Sequence, residues 1–96
     1  MVKVIVFQEQ LIQTLHWVNT AALLSNAQLN EVICEMNITE SKIIFTIPGS
    51  THEVASLNSG ECRVAIELVV LVGIMESYND EILTLEFTDD KMKIGT

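Results

Sequence analysis

The order of elements read along the chain runs through twice, and a duplicated unit constrains the fold more than any single motif in the sequence. Residues 2–7, Val-Lys-Val-Ile-Val-Phe, are mostly β-branched and read as a buried or half-buried strand. The period then changes. Leu11, Leu15, Val18 and Ala22 recur at i, i+4, i+7 and i+11, with Ile12 and Leu23 beside them, which predicts a helix over 8–24 stopped near Ser25-Asn26. A strand over 31–38 follows, then the tight connection Thr39-Glu40-Ser41 and a strand over 42–47 that pairs back on it. Pro48-Gly49-Ser50 breaks the pattern, with proline standing where a ladder donor would be lost. Residues 51–57 read as a third strand, ended by Asn58-Ser59-Gly60.

The second half starts again with a short strand over 62–66 and a helix over 67–78, against which its β-branched valines weigh only weakly. Residues 81–87 alternate as a strand, Thr88-Asp89-Asp90 turns the chain, and 91–94 forms a strand with apolar residues at alternate positions. The expected order is β-α-β-β-β over residues 1–60, then β-α-β-β over 61–96. This is an α+β fold, and 96 residues allow one domain with one modest core.

Composition narrows the function. With 49% apolar and 19% charged residues, the chain is neither a disordered tail nor a low-complexity segment. Thirteen acidic residues against five basic ones give a net charge of −8, and Lys3, Lys42, Arg63, Lys91 and Lys93 are scattered over the whole length. Autonomous nucleic-acid binders gain affinity by placing clustered Lys and Arg on phosphates and releasing counterions, so free-standing DNA binding is disfavoured. The N-terminus lacks a small-residue cleavage site, and the longest apolar run, 68–75, is too short to span a bilayer. Cys34 and Cys62 permit at most one bridge, which is not a disulfide framework. A cytoplasmic, reduced protein with no membrane contact is expected.

The order of elements and the residues in it resemble one domain of a DNA sliding clamp, of the bacterial DNA polymerase III beta-subunit type. The matching stretches are Phe7-Gln8-Glu9-Gln10-Leu11-Ile12 with Leu15 and Val18, then Ser41-Lys42-Ile43-Ile44-Phe45-Thr46 leading to His52-Glu53-Val54. Val64-Ala65 before the second helix, Asp80-Glu81-Ile82-Leu83-Thr84-Leu85 and Lys91-Met92-Lys93-Ile94 complete them. The resemblance covers nearly the whole chain. It implies a duplicated β-α-β-β-β unit with two antiparallel sheets and two adjacent helices, the last strand missing, and a ring of six such domains around duplex DNA. A single-domain chain would close that ring with six copies. The unpaired edge left by the missing strand would invite pairing with another chain.

In that family the helices line the hole and carry basic residues toward phosphates. Here neither predicted helix contains Lys or Arg, and Arg63 lies just ahead of the second one. Opposite the apolar stripe of the first helix stand Gln13, His16, Trp17 and Thr20, spaced i, i+3, i+4 and i+7, which can hydrogen-bond or stack. With Arg63 they form the candidate nucleic-acid or partner-facing set. The second helix is apolar almost all round, as a helix buried on more than one side is. Exposing roughly four of its large side chains would forgo about 1.5–3 kcal/mol each. Packing against another copy removes that cost, so Leu68, Val69, Val70, Val72 and Met75 are the expected oligomer contact.

Other candidate sites have bland readings beside them. Trp17 can stack on a base or anchor a partner; a core or subunit-contact aromatic fits it too. His16, His52, Cys34 and Cys62 show no short ligand spacing, so no metal is expected. Asp80, Glu81, Glu86, Asp89 and Asp90 read as solvated charge around a turn. Ser50-Thr51-His52-Glu53 holds nucleophile and base types, but strand neighbours alternate faces. No nucleophile elbow or phosphate-cradling glycine loop is present. The expectation is a non-enzymatic, cofactor-free, self-associating clamp-like protein serving replication or repair, with double-stranded DNA and replication proteins as partners. The alternative is an oligomeric protein- or peptide-binding module that does not contact DNA. An unrelated small α+β protein with a ligand pocket ranks last.

Overall fold

The computed structural model describes residues 1–24, 32–88 and 91–95. Strand β1 (Val2–Phe7) runs straight into helix α1 (Gln8–Leu24), followed by β2 (Ile33–Ile38), β3 (Lys42–Ile47), β4 (Ser50–Ala55) and the two-residue β5 (Leu57–Asn58). The second half supplies β6 (Cys62–Glu67), α2 (Leu68–Glu76), β7 (Ile82–Phe87) and β8 (Met92–Gly95). These make two four-stranded antiparallel sheets: a first in the order β5-β1-β7-β8 and a second in the order β4-β3-β2-β6. The fold is α+β, with two helices. The helix stop at Ser25-Asn26, the start of the second strand at Glu31 and the turn at Asp89-Asp90 fall outside the described residues.

Each sheet takes strands from both halves, and the halves interlock by matching bonds. β1 pairs with β7 over six positions, from Val2↔Phe87 to Phe7↔Ile82, and β6 pairs with β2 over six, from Cys62↔Ile38 to Glu67↔Ile33. The first amide of each helix is satisfied alike: Gln8 N–H donates to the Glu81 carbonyl and Leu68 N–H to the Val32 carbonyl, both at 2.9 Å. Such helix-start donors have no partner within the helix, so the residue just ahead of a strand of the other half supplies one. The turns repeat as well. Thr39 N–H donates to the Lys42 carbonyl at 3.0 Å, and Thr88 N–H to the Lys91 carbonyl at 2.9 Å.

Period-2 alternation sends Val4 and Val6, Cys34, Met36 and Ile38, Ile43 and Phe45, and Leu83 and Leu85 into one core. Helix α1 contributes Leu11, Leu15, Val18 and Ala22, the stripe read from its spacing.

Several boundaries shift by a residue from the sequence reading, and two elements differ by more. The single strand expected over 51–57 breaks at Ser56, which is buried and donates its N–H to the Ser41 carbonyl and its hydroxyl to Asn58 Oδ1. The chain there leaves the second sheet, and Leu57 and Asn58 pair with Ile5 and Val4 in the first. The helix expected over 67–78 is shorter at both ends. Glu67 stays extended in β6 opposite Ile33, and Ser77 closes the helix by donating both its N–H (3.2 Å) and its hydroxyl (2.6 Å) to the Ile74 carbonyl.

Among the described residues, β8 stands at the edge of its sheet, where the first half has β4 outside β3. Its inward residues show the difference: Met92 and Ile94 are half-buried, whereas Ile43 and Phe45, at the matching positions of β3, are fully buried.

The β3–β4 hairpin turns on Pro48-Gly49. Gly49 has φ +87°, the left-handed conformation that position i+2 of a type II turn requires after a proline. No atom lies within 4 Å of a Cβ built there, so the cost of a side chain is conformational rather than steric. Gly49→Ala is expected to cost about 1–2 kcal/mol and to lower the thermal midpoint by at least about 4 °C. Gly60→Ala, whose Cβ would meet Val2 Cγ2 at an ordinary 3.5 Å, is the control and should melt near the wild type.

Candidate functional site

The surface formed by the two helices is the part of the molecule to which the sequence assigned most of its candidates. With Leu11, Leu15, Val18 and Ala22 turned inward, the helical period places Gln13, His16, Trp17 and Thr20 in solvent together. Trp17 is 62% exposed, so it is not a core aromatic of its own chain. Helix α2 lies beside α1, and His16 Nε2 meets Glu76 Oε1 at 2.7 Å across the pair, both side chains being half-exposed. That contact joins residues 60 positions apart. It ties the helices at the surface without burying a charge.

Helix α2 divides the residues expected at an oligomer contact. Leu68 and Met75 are fully buried in the core of their own chain together with Leu71, so they are not available to a second copy. Val72 is half-buried against the same core. Val69 and Val70 remain 46% and 42% exposed. The near-continuous apolar sequence of α2 therefore serves its own core on one side and presents two valines on the other. Arg63 does not join the helix face. On β6 the inward residues are Cys62, Val64 and Ile66, so Arg63 projects from the outer face of the second sheet, where Nε meets Glu35 Oε1 at 3.2 Å.

The electrostatics of the helix face follow from its residues. Glu9 in the first turn of α1 and Glu76 at the end of α2 are exposed, and α1 and α2 contain no Lys or Arg. Phosphate oxygens brought to this face would meet carboxylates and no fixed cation.

The remaining candidates are dispersed. His16, His52, Cys34 and Cys62 lie on four different elements, and among the described residues no group of three metal-ligating side chains converges. Ser50 and His52 do meet: as i and i+2 of β4 they share a face, and Ser50 Oγ is hydrogen-bonded to His52 Nε2. The sequence reading weighed only adjacent residues and missed this pair. Among the described residues no carboxylate holds the other ring nitrogen. Asp80 and Glu81 are exposed ahead of β7, and Glu86 stands 3.9 Å from Lys3 on the outer face of the first sheet.

Both cysteines are free thiols. Cys34 registers with Ile66 and Cys62 with Ile38, four residues apart along the ladder, or about 13 Å at strand rise, which is beyond disulfide reach. Burial pushes the Cys34 thiol up to about 11, with a backbone hydrogen bond at Thr46 opposing, and burial also raises Cys62. An unfolded thiol ionises near 9.0. The stability held by neutral Cys34 is therefore fully present below pH 9 and lost as pH rises through 11. Denaturation midpoints should fall between pH 9 and 11, and Cys34→Ala should flatten that fall.

The sequence reading also missed an apolar patch on the outer face of the first sheet, made by Ile5, Phe7, Leu57 and Ile82. Its signal was present: a strand reading Val-Ile-Val-Phe is apolar on both faces, and only one can point at the core.

No protein-family model matches the sequence, and no curated protein matches it. Solved structures do. The DNA polymerase III beta subunit of Thermotoga maritima superposes with a TM-score of 0.77 over 98% of this chain at 18% identity. A protein provisionally assigned as a DNA polymerase III beta subunit of Eubacterium rectale superposes with a TM-score of 0.69 over 88% at 16% identity. The fold is that of a sliding-clamp domain. The chain spans about a quarter of the length of these clamp subunits, 26% and 23%. Its paired helices and two interlocked sheets are thus one clamp-domain unit in architecture. No helix among the described residues is long and apolar enough to cross a membrane.

Proposed function

We propose that this chain is a single clamp-like domain, built from units 1–60 and 61–96, that self-associates and serves DNA replication or repair as a non-enzymatic processivity or scaffold factor in the cytoplasm. The observation that carries the reading is the clamp-domain fold matched over 98% of the chain, with both helices on one surface. The mechanism is topological: copies close around duplex DNA, hold it without reading bases, and tether replication proteins on the outside. Self-association through the exposed Val69 and Val70 of α2 and the exposed Trp17 of α1 removes apolar surface from water.

The absence of Lys and Arg from α1 and α2 favours a second reading, an oligomeric protein- or peptide-binding module that does not touch DNA. Light scattering at several concentrations, followed by retention of nicked circular DNA against linear DNA at low salt, separates the two. A six-fold assembly that retains circles and releases linear DNA supports the clamp reading. An assembly that retains neither leaves the scaffold reading, and a strict monomer removes both forms of self-association.

A further inference from the structure

Strand β6 is an open edge of the second sheet, with β2 on one side and no described strand on the other. The ladder fixes which of its backbone groups are free. Leu68 N–H donates to the Val32 carbonyl at 2.9 Å, one step beyond the Glu67↔Ile33 pair. Bonded and non-bonded pairs alternate along an antiparallel ladder, so Ile66, Val64 and Cys62 turn their N–H and C=O groups toward β2. Glu67, Ala65 and Arg63 turn theirs to the open side. The opposite bonds of β2 agree: Thr39 N–H donates to the Lys42 carbonyl, which commits the odd-numbered residues of β2 to β3 and leaves the even-numbered ones for β6. Arg63, Ala65 and Glu67 also carry exposed side chains, and on the inner face Val64 and Ile66 are only half-buried, whereas Cys34, Met36 and Ile38 of β2 are fully buried.

Edge strands are commonly blunted by charges that discourage a second strand. On the exposed face of β4 the one charge is Glu53, and β8 follows Lys91 with Lys93, so neither can set opposite charges against a copy of itself. Strand β6 can. Arg63 and Glu67 stand symmetrically about Ala65, so an antiparallel copy centred on Ala65 sets each Arg63 against the other copy's Glu67. Centring on Arg63 or on Glu67 instead opposes like charges, which specifies the register. The favoured register also overlaps the whole strand, sets Val64 against Ile66 on the inner face, and leaves only two methyl groups at the axis. Arg63 Nε meets Glu35 Oε1 at 3.2 Å, and the terminal nitrogens of the guanidinium fork can still donate. Glu67 takes part in none of the ion pairs among the described residues. Beside β6 a hollow of about 510 Å³, walled by Met1, Val2, Phe87 and Thr88, gives the side chains of a second strand room.

We propose that two copies of this chain join β6 to β6 in antiparallel fashion about Ala65, making one continuous sheet of their two four-stranded ones. Each opposed pair of outward residues exchanges two backbone hydrogen bonds. Two Arg63–Glu67 contacts flank the axis, and Val64 and Ile66 of both copies lose water. Each copy carries a net charge of −8, but repulsion between distant charges is screened beyond about 8 Å at physiological ionic strength, while the paired charges are in contact. The contact is isologous and closes at two copies. It uses neither the helix face nor DNA and builds no ring, so it goes beyond the self-association proposed above and does not depend on it.

The test is sedimentation of the full chain from about 10 μM to about 1 mM, with amide hydrogen exchange at the upper concentration. Copies should associate in pairs, with the amides of Arg63, Ala65 and Glu67 protected. Arg63→Glu and Glu67→Arg, at exposed positions, should each leave the protomer folded and weaken pairing by about tenfold or more. Mixed in equal amounts, these two variants should pair with each other, because one then presents two carboxylates and the other two cations. Ala65→Pro removes only a donor on the open side and should give a folded monomer; the two charge variants decide the matter however the proline variant folds. Val70→Lys should leave the pairing intact, which separates this contact from one through the helix face. Several results would overturn the proposal: a monomer throughout, indifference to both charge reversals, or a mixture that pairs no better than either variant alone. So would an assembly that Val70→Lys dissolves and Ala65→Pro does not, or one that grows without limit, as head-to-tail joining of β4 to β8 would.

Discussion

Replacing Phe45 with alanine is expected to cost about 3–5 kcal/mol, whereas Ile94→Ala, at the matching position of the second half, costs about 1–2. Phe45 lies on β3 opposite Met36 and is fully buried, with β4 on its outer side and helix α1 over the sheet. Truncating it leaves a cavity that neighbours on three sides cannot close. Ile94 lies on β8 opposite Leu85 in the same register, but at the sheet edge, where it is only half-buried. Part of its surface is already wet, so less is lost. Because small domains hold about 5–15 kcal/mol in total, the Phe45 variant should populate the unfolded state measurably at 25 °C. Urea unfolding followed by circular dichroism reads both. Equal losses at the two positions would show that β8 is as enclosed as β3 and would remove the asymmetry between the halves.

That asymmetry marks where sequence reasoning succeeded and where it stopped. Helix α1 was legible because Leu11, Leu15, Val18 and Ala22 repeat at helical spacing, and the same spacing put Gln13, His16, Trp17 and Thr20 on the wet side. The strands were legible from alternation, and the doubling of their order was visible without coordinates. The crossing at Ser56 was not. It depends on a buried hydroxyl and on the Asn58 side chain, whose Nδ2 donates to the Thr39 carbonyl, and nothing in the local pattern distinguishes that serine from a strand residue. Helix α2 misled for a different reason. Leu-Val-Val-Leu-Val-Gly-Ile-Met has no polar side to orient it, so hydrophobicity alone could not tell Leu68 and Met75, which are core, from Val69 and Val70, which are not. The His16–Glu76 contact and the Ile5–Leu57 pairing join residues far apart in the chain, and only the assembled sheets bring them together.

Val70→Lys should abolish self-association through the helix face while leaving the protomer folded. Val70 is 42% exposed in the isolated chain, so a lysine there keeps its ammonium in water and the thermal midpoint should move by less than about 3 °C. In an assembly that covers this face the same ammonium is buried beside Val69, whose side chain offers it no acceptor. A desolvated, unpaired cation costs several kcal/mol, enough to weaken association at least about a hundredfold. Leu68→Lys is the contrasting variant: Leu68 is fully buried in its own chain, so the substitution should unfold the protomer whatever its oligomeric state. Light scattering and thermal melts on the wild type and both variants give the answer. If Val70→Lys assembles as the wild type does, the helix face is not where copies meet, and contact must then be sought along the sheet edges, which among the described residues are β4, β5, β6 and β8.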